Sequence, residues 1–213
     1  MIVARFIAVV IVGYLLGSIP FGLLIGKLKG GIDVRKYGSG KTGATNVMRA
    51  VGTRIGVLTL LLDGVKAAGA VLLAKVIIDS GILTIGSISF QYWHIAQVMA
   101  GLAAVAGHNW PVFARFKGGR GVAAYFGTLF VISPPVAIFG TEVIAISALR
   151  SRQMSKGSIL GAIAAWCLLV PLTISYGSPP IYLAYGLAAI AFLVYQHRDN
   201  VKRLQQGTER QLW

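Results

Sequence analysis

Acidic residues are scarce in this chain. Of 213 residues only six are Asp or Glu, against twenty Lys and Arg, and charged residues make up 12% of the whole. A water-soluble domain is about a quarter charged, so a single soluble globular unit is excluded. One cysteine, Cys167, lies inside an apolar run, and there are three histidines. Neither a disulfide framework nor a Cys/His metal cluster can be built from that set. No repeat with a period of 20–50 residues is apparent, which removes solenoid architectures.

Apolar residues are abundant instead. They form 56% of the chain, and mean hydropathy is +0.74. The fold class this implies is all-α and polytopic, an integral membrane protein whose residues 1–213 form one domain. Candidate spans fall at about 3–26, 55–78, 92–107, 121–132, 136–149, 157–175 and 179–196. The first run is followed by Lys27, Lys29, Arg35 and Lys36 and by no small-x-small cleavage pattern, so it reads as a retained helix. The fourth and fifth runs are short. Residues 121–132 would rise only ~18 Å against ~30 Å of hydrocarbon, and Ser133-Pro134-Pro135 separates the pair. The expected count is seven helices, two of them short, with five as the alternative. Sidedness is the same for both counts.

The basic residues orient these spans. Loop 27–54, loop 108–120, loop 150–156 and the tail after 197 carry seventeen of the twenty Lys and Arg, and alternation puts all four on one face. That face should be cytoplasmic and the N-terminus outside. A net charge of +14 is therefore a matter of membrane orientation, and nucleic acid is not an expected partner.

Three polar segments end on that face: Gly38–Arg49, Gly107–Gly121 and Tyr195–Leu204. GSGKT at Gly38–Thr42 invites a nucleotide-binding P-loop, but the position that loop reserves for its first glycine holds Arg35, and a membrane helix replaces the preceding strand. The glycines still suit an anion, because successive N–H groups without side chains can form a nest. Ser39, Gly40, Lys41, Thr42, Thr45 and Asn46 supply donors, and Arg49 can grip phosphate through two nitrogens. A helix starting near residue 44 would put Thr45 or Asn46 at its positive end. In the second segment His108 ends a span, and Lys117-Gly118-Gly119-Arg120 opens the next helix beside two cations. In the third, His197 and Asn200 would share one helical face if the last span continued. Asp63 and Lys66, three apart within the second span, are costly in lipid unless paired, and a mutual ion pair is the expected outcome. Glu142 in the fifth span poses the same question. No site residue calls for a metal or cofactor.

As a set, GSIPFG (Gly17–Gly22), GSGxxGATNxxR (Gly38–Arg49), LDxxK (Leu62–Lys66), GHxxPVFxxFxGGxGVA (Gly107–Ala123) and YxHRxNxxRLxxGxE (Tyr195–Glu209) resemble the bacterial membrane glycerol-3-phosphate acyltransferases that use acyl phosphate. The resemblance implies a seven-helix enzyme of the bacterial inner membrane with its active site facing the cytoplasm. It also implies acyl transfer from acyl phosphate to glycerol 3-phosphate, giving 1-acyl-glycerol-3-phosphate (lysophosphatidic acid) and phosphate. Two positions depart from the family pattern: Lys41 stands where Asn is usual, and Arg120 where Lys is usual.

The HxxxxD motif of soluble-type acyltransferases is absent, since Met99, Phe113 and Lys202 stand five residues after His94, His108 and His197. Direct transfer without an acyl-enzyme is the expected route, because an acyl phosphate is already activated. Ser39, His197 and Asn200 are the expected catalytic residues. Gly40, Lys41, Thr42, Thr45, Asn46, Arg49, His108, Lys117, Gly118, Gly119 and Arg120 are the expected phosphate-binding set. A membrane transporter of an anion or phosphate ester is the alternative. It would want a polar route across the bilayer, whereas the polar residues here gather at one face.

Overall fold

The structure, a computed structural model, describes residues 1–78, 80–86 and 88–212. The apolar runs, together with two segments outside them (α3 and α10), fold as helices: α1 (Ile2–Gly17), α2 (Phe21–Gly30), α3 (Ala44–Val51), α4 (Thr53–Ile77), α5 (Tyr92–Asn109), α6 (Val122–Ile132), α7 (Pro134–Ser151), α8 (Met154–Tyr176), α9 (Ile181–Gln196) and α10 (Arg198–Gln205). Among the described residues, three helical stretches are long and apolar enough to cross a membrane: residues 2–30, α4 and α8. α6 and α9 are apolar but shorter.

Two features differ from expectation. The first span is broken, because Pro20 carries no N–H and the chain leaves the helix at Ser18 before re-entering it at Phe21. The all-α reading also misses a hairpin of β1 (Ile82–Ile85) and β2 (Ile88–Gln91), paired antiparallel with Ile82 opposite Gln91 and Leu83 opposite Phe90. These runs are rich in β-branched residues, and Gly86 turns between them at φ 62°.

Small residues let the helices approach closely. A Cβ on Gly13 of α1 would come within 2.9 Å of the Ala100 carbonyl oxygen of α5, and one on Gly17 within 2.7 Å of Ala104 Cα. Gly127 of α6 meets Gly64 of α4 in the same way, and Gly161 of α8 meets Gly140 of α7. Such contacts drive helix association where both solvent and side chains are apolar. The core they enclose includes Ala67, Val105, Tyr125, Leu129, Tyr185 and Leu193. The outer surface is apolar as well: Ile7, Leu61, Val76, Ile138, Ile174 and Leu187 are all exposed. A shell of exposed aliphatic side chains around a packed interior suits hydrocarbon as the solvent.

Candidate active site

A cavity of about 340 Å³ opens among the start of α4, the end of α5, the start of α6, the end of α7, the start of α8 and the end of α9. These are the helix ends that alternation places together. The polar part of its wall holds Ser39, Lys41, Thr45, Arg49, Arg120 and His197. Its remaining wall is mainly apolar, with Leu60, Val122, Phe126, Ile144 and Ala148.

The Gly38–Arg49 segment is built by Asn46. Its Oδ1 accepts the Ser39 N–H at 2.8 Å, and its Nδ2 donates to the carbonyls of Val34 (2.8 Å), Tyr37 (3.1 Å) and Lys41 (2.8 Å). Gly38 and Gly40 hold φ of 53° and 70°, which the tight loop requires and which glycine adopts at no steric cost. The backbone nest is not what forms at three of its positions. The Ser39 N–H is taken by Asn46, the Gly40 N–H bonds the Tyr37 carbonyl at 3.0 Å, and the Thr42 N–H bonds the Gly118 carbonyl at 3.3 Å. Side chains, more than these amides, face the cavity.

The second segment is joined to the first through that Thr42–Gly118 bond. The Gly119 N–H bonds the His108 carbonyl at 3.0 Å, and Gly119 packs so closely on the His108 ring that a Cβ there would overlap Nε2. This turn delivers Arg120 to the cavity. Its Nε is buried without a partner. Burial first, then Arg203, Arg210 and Arg49, hold its guanidinium down at about 10 despite the opposing pull of Glu209. Burial lowers Lys41 too, with Arg120 and Arg198 adding to it. Arg49 is lowered by burial and by Arg210. Arg120 thus disfavours the charge of Lys41, and Arg49 that of Arg120, an arrangement an anion would relieve.

The third segment divides. α9 ends at Gln196, and His197 leaves the helix with φ −98° and ψ 5° before α10 begins. His197 is 1% exposed and lines the cavity. Its Nδ1 lies 2.8 Å from the Leu193 carbonyl, so that nitrogen carries the proton and Nε2 is left as acceptor. Burial pushes its pKa to about 4, and Arg120 adds to the shift. Asn200 is buried but is not in the cavity wall; its Nδ2 donates to Glu209 Oε1 at 2.6 Å. Glu209 also accepts from Ser155 Oγ (3.1 Å) and pairs with Arg203 Nε (2.9 Å).

Of the expected residues, the cavity brings together Ser39, Lys41, Thr45, Asn46, Arg49, His108, Arg120 and His197. Thr42, Gly118, Gly119 and Asn200 are buried outside its lining, and Gly40 and Lys117 are exposed outside it. Sequence reasoning missed the part of two residues, one in the cavity wall and one behind it. Asp63 lines the cavity, pairing with Lys66 as expected at 2.7 Å but also standing 3.5 Å from His108 Nδ1. Glu209 fixes Asn200 and the start of α8. Both lay inside quoted motifs, so the signal was present while their partners were not. Glu142 is exposed on α7. Among the described residues no cluster of three or more His, Cys, Asp or Glu could hold a metal ion.

A family profile described as glycerol-3-phosphate acyltransferase matches residues 7–207. Glycerol-3-phosphate acyltransferase 3 of Dehalococcoides mccartyi is 49% identical over 212 residues, covering 100% of this chain and 98% of that one. The glycerol-3-phosphate acyltransferase of Aquifex aeolicus is 42% identical over 94% of this chain and 95% of its own. The crystal structure of PlsY (YgiH), an integral membrane glycerol 3-phosphate acyltransferase, in its glycerol 3-phosphate form superposes with a TM-score of 0.82 at 39% identity, covering 97% of this chain and 94% of that one. Its lysophosphatidic acid form gives a TM-score of 0.81.

Proposed function

We propose a donor and a chemical route for this chain, which belongs to the glycerol-3-phosphate acyltransferase family. The donor is acyl phosphate, the acceptor is the 1-hydroxyl of glycerol 3-phosphate, and the products are lysophosphatidic acid and phosphate, as a first step of phospholipid synthesis. The chain would act as one domain of seven spanning helices, in a bacterial inner membrane, with the cavity on the cytoplasmic side. The observation that carries this reading is the composition of the cavity wall. Three cations, Lys41, Arg49 and Arg120, share it with a mainly apolar set of side chains, which matches two phosphates and one acyl chain.

The acceptor's hydroxyl oxygen attacks the acyl carbonyl carbon. The new ester C–O bond forms, the C–O bond to phosphate breaks, and phosphate leaves with that electron pair. Arg49 and Arg120 hold phosphates by charge-assisted hydrogen bonds, with Lys41 as a third cation. Ser39 donates toward developing oxygen charge. His197, held neutral by burial, accepts a hydrogen bond from the attacking hydroxyl and aims its oxygen. With a pKa near 4 it is a poor store for a proton at neutral pH, so the proton ends on the departing phosphate. Asn200 acts from behind, through the Glu209 contact that sets the turn after α9.

The test is donor choice. The purified chain given glycerol 3-phosphate and acyl phosphate should form lysophosphatidic acid and phosphate in equal amounts. Product from a coenzyme A thioester but none from acyl phosphate would overturn the donor assignment.

A further inference from the structure

We propose that Asp63 is a positioning residue of the acyl-transfer site, acting through His108 to fix the turn that carries Arg120. This rests on the reading of the cavity given above. Asp63 is 2% exposed and Lys66 7%. Their 2.7 Å pair already neutralises both charges, and Lys66 is further held by the Ile19 carbonyl at 2.6 Å and by the Phe21 ring at 5.7 Å. A purely structural pair needs no third member. Yet Asp63 also faces His108, whose Nδ1 is buried with no hydrogen-bond partner and lies 3.5 Å from the carboxylate. Both residues line the cavity.

His108 is the seat of the Gly118–Arg120 turn. Its carbonyl accepts the Gly119 N–H at 3.0 Å, and its ring abuts Gly119 Cα at the edge opposite Asp63. The carboxylate thus orients the imidazole, the imidazole places the two glycines, and the glycines place the guanidinium. The same turn holds the first segment through the Thr42–Gly118 bond. One buried carboxylate on α4 sets the distance between the cations of two loops.

The test uses the full chain with acyl phosphate and glycerol 3-phosphate. Asp63→Asn with Lys66→Met removes the carboxylate without stranding a buried charge. It should raise KM for glycerol 3-phosphate ~10- to 100-fold, the scale of an ångström of misplacement, with kcat changed less. In an Arg120→Ala background the same pair should shift KM by a clearly smaller factor, since the part of the effect that passes through Arg120 is already gone and only the part passing through the Thr42–Gly118 bond remains. A folded double variant with unchanged KM overturns the proposal. So does an effect undiminished in the Arg120→Ala background, or an Arg120→Ala variant with unchanged KM. Should the double variant not fold, Gly119→Ala displaces the ring from its other edge with the ion pair intact, and unchanged KM there overturns the proposal equally. Absence of transfer by the unsubstituted chain would instead refute the proposed function.

Discussion

Replacing Arg120 by Met should separate binding from stability. Met keeps much of the volume and removes the charge. A hydrogen bond from a charged group to phosphate contributes ~1.5–3 kcal/mol, so kcat/KM for glycerol 3-phosphate should fall about tenfold to about a hundredfold. The effect on the empty protein has the opposite sign. Burial and the neighbouring arginines hold Arg120 at about 10 against an ordinary 12.5. Keeping that charge folded at neutral pH therefore costs up to ~3 kcal/mol, and its removal should leave the melting temperature unchanged or higher. The rise in melting temperature on adding glycerol 3-phosphate should shrink, because the ligand no longer relieves the repulsion. Glycerol-3-phosphate-dependent phosphate release in micelles and thermal unfolding with and without substrate measure both effects. A kcat/KM within twofold of the parent would refute the phosphate role. A melting temperature several degrees lower would show that Arg120 is a structural cation instead.

His197→Ala should lower kcat at least tenfold with little change in KM for acyl phosphate, as steady-state rates would show. The same residue predicts a pH effect on stability. Its folded pKa of about 4 lies below the unfolded 6.5, so the unfolded chain takes up a proton that the folded one refuses. Stability should fall on acidification between those values, by up to ~3 kcal/mol, and His197→Gln should flatten melting temperature across that window. Gly17→Val should lower the melting temperature by the ~1–3 kcal/mol typical of overpacking, because its Cβ would strike the Ala104 backbone.

The sequence made the long elements legible because each apolar run is bounded by charge, glycine or proline. It did not reveal the break after α1, since hydropathy stays high across Ser18–Pro20 while the missing Pro20 N–H acts locally. The hairpin at 82–91 was hidden for a similar reason, being too short to show a period beside membrane helices. At the site, residues within one segment were readable and contacts between segments were not. His197 and Asn200 were expected to share a helical face, but the chain leaves the helix at His197, sending the imidazole into the cavity and the amide to Glu209. Asp63 was read only with Lys66 because they are neighbours on α4. Its approach to His108, on another helix, depends on how α4 and α5 pack, and no local pattern encodes that.

Chemistry at the cavity, rather than passage across a membrane, is the central claim. The most direct test places the chain in sealed vesicles, adds acyl phosphate and labelled glycerol 3-phosphate outside, and follows label in lysophosphatidic acid and in the lumen together. Label should appear in lysophosphatidic acid, matched by released phosphate, with none accumulating as free glycerol 3-phosphate inside. Label entering the lumen without acylated product would contradict acyl transfer as the function.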